Sequence, residues 1–415
     1  MPRKAVITGI GILSSIGANP QDFWENLVNG VSGIDTVSRF DPSPFASRVG
    51  AEIKDQSYGQ ELSPKEKKLD PTAQYALIAA RQALEDSGID LNGVGRSRCG
   101  VILGSARGAA NLLEDFHSRF LSGGVSKVKP YASPFTTLSS MSAAVARRFG
   151  LQGPNFTISA TCASSSHAIG SALEKIQLGK ADMVLAGGSE ACITPFHYAM
   201  FGNAGVLSPG KGRPAESCKP FDLNRDGMAV AEGAGIIALE EEGHALRRGA
   251  KIYARLAGFG SSCDALGVTS MPEDGAGIQR AMAFALEDAG LDRSEVGYIN
   301  AHGTGTRLND LVETRAIKNF FGDLAGSIPI SSTKSMTGHS IGASGGMEAV
   351  ICALVLRHGI IPPTINYQTP DPECDLDYTP NQSRKIPVRV AVSNAMGFGG
   401  LNTCLVFQKN LTKKI

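Results

Sequence analysis

The sequence predicts an α/β protein built from two related halves that stack into five layers, with helices and sheets alternating. Three observations carry that expectation. Ala83-Leu-Glu-Asp-Ser-Gly-Ile-Asp90 recurs as Ala285-Leu-Glu-Asp-Ala-Gly-Leu-Asp292, and Ile158-Ser-Ala-Thr-Cys162 recurs as Ile330-Ser-Ser-Thr-Lys334. Short apolar strands alternate with helical patterns throughout both halves, the signature of layered α/β architecture.

Each element follows from its local pattern. Ala5-Val-Ile-Thr-Gly-Ile-Gly11 is an apolar run too short for the core of a secretory signal, so it is expected to be a buried first strand. Ala73, Ala76, Leu77, Ala80 and Leu84 share one helical face, and Gly88 stands where a left-handed cap ends that helix. Strands are expected at Gly100–Gly104 and, in the second half, at Gly297–Ala301. Helices rich in small residues follow Cys162 and Lys334, and Met183–Ala186 and Val388–Val392 supply further apolar strands. Gly100 to Ile158 spans 58 residues and Gly297 to Ile330 only 33, so the first half carries about 25 extra, around 107–150. We read this extra piece as a cap or subunit contact. The halves are set at 1–250 and 251–415, with a site where they meet.

Composition narrows the function. The formal net charge of the 415 residues is +1, so charge alone implies no nucleic acid or other polyanion. None of the eight cysteines forms a CxxC pair, which argues against a zinc or dithiol motif, and no metal is expected. No apolar run approaches the roughly 18 residues of a membrane span. A reducing, cytoplasmic setting is expected, without a membrane partner.

The chemistry is expected at three side chains. Cys162 ends a strand and Ala163-Ser-Ser-Ser-His opens a helix, so its sulfur should face unpaired N–H groups and the positive helix end, which lowers a thiol pKa. Most cysteines are inert small hydrophobes; this sharp strand-to-helix turn reverses that presumption. His302 lies in Asn300-Ala-His-Gly-Thr-Gly-Thr306 after a strand, and His339 ends Lys334-Ser-Met-Thr-Gly-His339 before a helix. Small residues in both turns let backbone approach a ligand closely.

These motifs, with Thr161-Cys162-Ala-Ser and Gly397-Phe-Gly-Gly400, resemble β-ketoacyl-acyl carrier protein synthases of types I and II, over nearly the whole chain. The resemblance implies the duplicated, five-layered thiolase-like fold and a dimer, with itself or with a ketosynthase-like paralogue. It implies an acyltransferase that condenses a Cys162-bound acyl group with a decarboxylating malonyl thioester, both delivered on the phosphopantetheine of acyl carrier protein, with no intrinsic cofactor. His302 and His339 would stabilise the enolate, Lys334 would orient them, and Glu348 would anchor that network. The backbone N–H groups of Cys162 and Phe398 would form the oxyanion hole, Thr304 and Thr306 would hold the pantetheine arm, and the Phe398 ring would gate the acyl pocket. Three basic groups are candidates for carrier docking: Lys65, Lys67 and Lys68; Lys127 and Lys129; Lys211 and Arg213. Arg307, Met396 and Leu401 depart from the elongating fatty-acid pattern, and pulls toward type II polyketide and type I fatty-acid enzymes conflict.

Other motifs are expected to be structural. Gly342-Ala-Ser-Gly-Gly346 spells a serine elbow but lies in a helical pattern; Gly9-Ile-Gly11 lacks the third glycine of a dinucleotide loop. His167 is placed in a structural hydrogen bond, and Arg225, Asp226 and Glu232 in an ion-pair lattice under the site. Two alternatives remain: a non-catalytic partner subunit, which would lack the nucleophile, and a degradative thiolase, which would need a second cysteine such as Cys404 as base.

Overall fold

The computed structural model describes residues 2–91 and 93–410. Ten strands form one continuous sheet. The first half supplies β1 (Ala5–Ser14), β2 (Cys99–Gly104), β3 (Asn155–Ile158), β4 (Met183–Glu190) and β5 (Gly233–Glu241). The second half supplies β6 (Ala254–Cys263), β7 (Tyr298–Asn300), β8 (Ile330–Ser331), β9 (Val390–Gly397) and β10 (Leu401–Gln408). Their order is β3-β2-β4-β5-β1-β6-β10-β9-β7-β8. This order is a palindrome: each strand of the first half has its counterpart five strands on, which is the duplication written in space. Within each half the outer three strands run parallel and the inner two antiparallel. The halves join where Ala5, Val6 and Ile7 pair with Leu256, Arg255 and Ala254.

Helices complete the five layers. On the outer face of the first half lie α1 (Pro71–Ser87) and, after α2 (Ala110–Gly123), α3 (Ser140–Phe149). Between the two half-sheets runs α4 (Ser164–Gln177). The outer face of the second half carries α5 (Ala276–Ala289) and α6 (Arg307–Phe321), and α7 (Ser344–His358) joins α4 in the centre. Both central helices touch strands of both halves. That sandwiching explains why α7 is apolar on every side. Ile341–His358 is long and apolar enough to cross a membrane, yet 89% of it is buried within the protein.

Local chemistry places these elements. Asp70 caps α1 ahead of Pro71, and Gly88 ends it in the left-handed region at φ 63°. Gly346 admits the sheet against α7, since a Cβ there would lie 2.3 Å from the Gly235 carbonyl oxygen. The Gly-Ala-Ser-Gly-Gly run is therefore a packing surface. The extra segment of the first half ends near 139, because α3 buries Met141, Ala144 and Val145 against the first half's outer core. There it takes the place that α6 holds in the second half. The segment itself leaves Leu113, Phe120, Leu121 and Val125 exposed.

Candidate active site

Cys162, His302 and His339 come together. The sulfur and the nearest ring nitrogens all lie within 4.8 Å of one another, and the two imidazoles meet edge to face with centroids 5.3 Å apart. Cys162 follows β3 of the first half-sheet, and His302 and His339 follow β7 and β8 of the second, so the cluster straddles the two repeats. It lines a cavity of about 580 Å³ whose wall also includes Thr304, Thr306, Phe398, Met396, Arg107 and Arg307.

The turn before Cys162 is strained. Thr161 adopts φ 49°, an uncommon conformation for a β-branched residue, and its hydroxyl donates to the Phe398 carbonyl at 3.2 Å. Ser164 ties the loop from the other side, its Oγ accepting from the Ala160 N–H at 2.9 Å and donating to the Thr161 carbonyl at 2.6 Å. Gly397 brings the following turn close: a Cβ on it would sit 2.1 Å from Thr161 Oγ1 and 3.3 Å from the Cys162 nitrogen. The Phe398 turn is thus packed against the backbone of Cys162. Its ring is 37% exposed at the cavity wall.

Electrostatics correct one expectation. Burial pushes the Cys162 thiol up to about 12; Lys334 and Arg107 oppose that rise, and Glu190 and Glu348 add to it. The helix N-terminus favours the thiolate, but desolvation outweighs it, and the resting sulfur is a thiol. Both histidines are shifted the opposite way. Burial, then the Lys334 charge, then its neighbour His339 hold His302 well below the usual imidazole range, and burial and Lys334 do the same to His339. Both rings are neutral at physiological pH. The same cation opposes a divalent metal at this Cys-His-His cluster, although the three groups are close enough to ligate one.

The two rings differ in how they are held. His339 Nδ1 lies 2.9 Å from Ser344 Oγ, and its backbone N–H donates to the Ala229 carbonyl at 2.8 Å. His302 Nδ1 is buried with no partner among the described residues. Lys334 is buried and ion-paired with Glu348; burial raises the Glu348 carboxyl, and Lys334 acts against that rise. Thr304 and Thr306 hydroxyls lie 2.9 Å apart at the cavity.

Three carboxylates that carry this geometry escaped the sequence reading. Glu313 accepts the His302 and Gly303 N–H groups, each at 2.8 Å. Asp310 accepts those of Thr304 and Gly305 at 3.1 and 3.2 Å, and that of Phe221 at 2.8 Å. Glu190 accepts from the N–H groups of Ala106, Arg107 and Gly342 and from the Ser105 hydroxyl. Burial pushes Glu190 and Glu313 up to about 7, against the hydrogen bonds that favour their charge. The available signal was the pair Asp310 and Glu313, one turn apart on the helix after the glycine-rich turn.

Other expectations are redistributed. Arg225 pairs with Asp371 at 2.6 Å and, at 3.9 Å, with Asp310. Glu232 instead pairs with Arg39 at 2.6 Å and accepts from Tyr75, and Asp226 accepts from Ser208 beside the cavity. The three do not form one lattice, because Glu232 lies beyond the loop, between two strands, where it meets Arg39 and Tyr75. His167 meets the Phe259 ring edge-on, centroids 5.7 Å apart, and its ring makes no hydrogen bond among the described residues. Cys404 is buried in β10 away from the cavity, and burial raises its thiol. The basic groups Lys65, Lys67 and Lys68, Lys127 and Lys129, and Lys211 and Arg213 are exposed and none lines the cavity; Arg213 pairs with Glu216. Leu401 opens β10 outside the cavity wall, whereas Met396 and Arg307 are part of it.

A half-buried thiol at a strained turn, facing two neutral imidazoles and a paired lysine, has the make-up of a thioester acyltransferase site, and comparison with known proteins gives an acyltransferase. The family description for the beta-ketoacyl synthase N-terminal domain matches residues 3–245, and that for its C-terminal domain residues 253–368. A 3-oxoacyl-[acyl-carrier-protein] synthase 2 of Synechocystis is 44% identical, with 98% of each chain covered; that of Staphylococcus aureus is 40% identical over the same share. Among solved structures, the ketosynthase of a type II polyketide system in complex with its acyl-carrier protein, AntDE:AntF, has TM-score 0.92 at 37% identity, covering 99% of this chain and 100% of that one. The ishigamide ketosynthase/chain length factor also has TM-score 0.92, at 33% identity over 99% and 100%. The chain belongs to the beta-ketoacyl synthase family. It is a condensing acyltransferase, forming a carbon–carbon bond by Claisen condensation.

Proposed function

We propose that the enzyme takes an acyl group from acyl carrier protein onto Cys162, condenses it with malonyl-acyl carrier protein, and releases 3-oxoacyl-acyl carrier protein and carbon dioxide. The convergence of Cys162, His302 and His339 at one cavity carries this reading. The Cys162 sulfur attacks the acyl thioester as its proton leaves, expelling the carrier thiol. The malonyl thioester then loses carbon dioxide, and the enolate oxygen accepts N–H bonds from His302 and His339. Neutral rings suit this role, since each keeps one N–H to donate. For His339, the Ser344 hydroxyl donating to Nδ1 leaves Nε2–H for the enolate. The enolate carbon attacks the Cys162 thioester; the oxyanion accepts from the N–H groups of Cys162 and Phe398, and its collapse expels the Cys162 thiolate.

In this reading Lys334 keeps both rings neutral and Glu348 balances its charge, because an unpaired cation buried there would cost several kcal/mol, about 3–5. Thr304 and Thr306 bond the pantetheine arm and Phe398 gates the acyl side. The two halves, 1–250 and 251–415, act as one unit, and the dimer forms with itself or with a ketosynthase-like paralogue in the cytoplasm. The non-catalytic alternative is disfavoured by the retained Cys162, and the thiolase alternative by the position of Cys404. The direct test supplies acyl- and malonyl-carrier protein together. A carrier-bound product two carbons longer, bearing a 3-oxo group, is expected by mass; its absence with several chain lengths would overturn the reading.

Two further results are expected. Because the resting sulfur is a thiol pushed up to about 12, the acylation rate should rise with pH from about 6.5 to about 9, following the thiolate fraction. Decarboxylation should stay flat over that range, since both imidazoles are already neutral. Intact mass against time and carbon dioxide release at each pH separate the two; a flat acylation profile would contradict a resting thiol. Second, reversing the charges of Lys65, Lys67 and Lys68, or of Lys127 and Lys129, should raise the KM for acyl carrier protein with little change in kcat, as uniform binding does. An unchanged KM in both variants would transfer docking to Lys211 and Arg213.

A further inference from the structure

The cavity has two chemically different sides. Thr304, Thr306 and Asn309 give one a hydroxyl- and amide-rich wall. On the other, Ala106 and Cys162 pack against Phe201, Leu207 and Ile341. An apolar wall beside the sulfur suits an acyl chain, but an exposed cation lies along it. Arg107 lines the cavity, and its guanidinium lies over the Phe201 ring, 5.4 Å from the centroid. Its backbone is fixed, its N–H donating to buried Glu190 at 3.1 Å beside the Ala106 N–H at 2.7 Å. Among the described residues no carboxylate pairs with its side chain. Phe201 belongs to the same apolar cluster as Cys162, which puts Arg107 on the sulfur's side of the cavity. The other cavity arginine, Arg307, stands beside Thr306 on the polar side.

We propose that Arg107 makes the enzyme selective for acyl chains that carry an oxygen acceptor, a ketone or a carboxylate, over plain alkyl chains. The inference rests on the reading of Cys162 as the acylated residue. An alkyl chain laid along Phe201 strips water from the guanidinium and returns no hydrogen bond. A ketone or carboxylate oxygen replaces that water with a charge-assisted bond. Cation–π contact with Phe201 holds the group in place without consuming its five N–H donors. A chain bearing oxygen along its length thus gains at a position where a saturated one loses.

The test compares three eight-carbon chains on acyl carrier protein: octanoyl, 7-oxooctanoyl and the half-thioester of octanedioic acid. The acylation rate of the full-length enzyme is followed by intact mass. The native enzyme should take the ketone or the carboxylate chain about ten- to hundredfold faster than octanoyl, the range for one hydrogen bond to a charged group. The two oxygenated arms tell a neutral acceptor from an anion. Arg107→Met should reverse the order, slowing both oxygenated chains and speeding octanoyl; Arg107→Lys should retain part of the preference. Equal rates for all three chains in the native enzyme would overturn the proposal. So would an Arg107→Met variant that keeps the native order but loses its dimer by size-exclusion chromatography, which would make Arg107 a subunit contact. Acylation of Cys162 by octanoyl alone refutes the selectivity and leaves the nucleophile standing; no acyl-enzyme with any chain refutes both.

Discussion

Cys162→Ala should abolish both the acyl-enzyme and the condensation product while the protein stays folded. The side chain is small and only partly buried, and the turn around it is held by Ser164, Thr161 and the Gly397 approach rather than by the sulfur. Thermal unfolding should therefore change little, within the ordinary range for a substitution that opens no large cavity. Intact mass after incubation with acyl carrier protein gives the direct readout. An acyl group still found on Cys162→Ala would place the nucleophile elsewhere. Cys162→Gln is the sharper variant, because it removes the nucleophile and leaves a neutral polar group beside two intact imidazoles. It should release carbon dioxide from malonyl carrier protein without forming a new carbon–carbon bond.

The second large effect divides the two half-reactions. Decarboxylation places charge on the enolate oxygen in a site where His302 and His339 are the buried donors at hand. Losing one preorganised donor at such a centre costs about 2.7–4 kcal/mol, or roughly 100- to 1,000-fold in rate. His302→Ala and His339→Ala should each lose carbon dioxide release on that scale while still becoming acylated at a reduced rate. In the proposed mechanism, acylation draws only on the sulfur and the backbone N–H groups near Cys162 and Phe398. Lys334→Ala should be impaired similarly, by a different route. Without the cation, Glu348 is left buried and unpaired and both imidazoles regain basicity, since Lys334 contributes to their depression. Its loss should therefore deepen as pH falls, whereas the histidine variants should be slow at every pH. Near-native carbon dioxide release from both histidine variants would reduce the rings to structural parts.

These two experiments bear on residues that were legible without coordinates, and the reasons are physical. A strand-to-helix turn announces itself locally, because a nucleophile at its tip needs small and hydroxylic neighbours, and Thr161-Cys162-Ala-Ser has them. The turns at His302 and His339 likewise need glycine where backbone must pass close; Gly303, at φ 35°, leaves a Cβ only 2.6 Å from Ser332 Cβ. Buried carboxylates are not legible in this way. Glu190, Asp310 and Glu313 look like ordinary charges on or near amphipathic elements, and they become the supports of the site only when the fold brings distant N–H groups to them. The grouping of Arg225, Asp226 and Glu232 failed for the converse reason. Closeness in the chain says nothing about partners, since these come from distant segments: Asp371 for Arg225, Ser208 for Asp226, and Arg39 and Tyr75 for Glu232.

By itself, the amino-acid sequence determined the duplication, the alternation of strands and helices, the left-handed cap at Gly88, and the three side chains that converge at the cavity. All of these depend on contacts within a few residues or on a repeat visible in one dimension. Only the tertiary structure decided the palindromic strand order, the splitting of the site between the repeats, and the protonation state of its groups. The thiol shows the difference most clearly. Its helix terminus, a local feature, argued for a thiolate, but burial by residues from both halves outweighed it, and desolvation is a property of the whole packed site rather than of any segment of the chain.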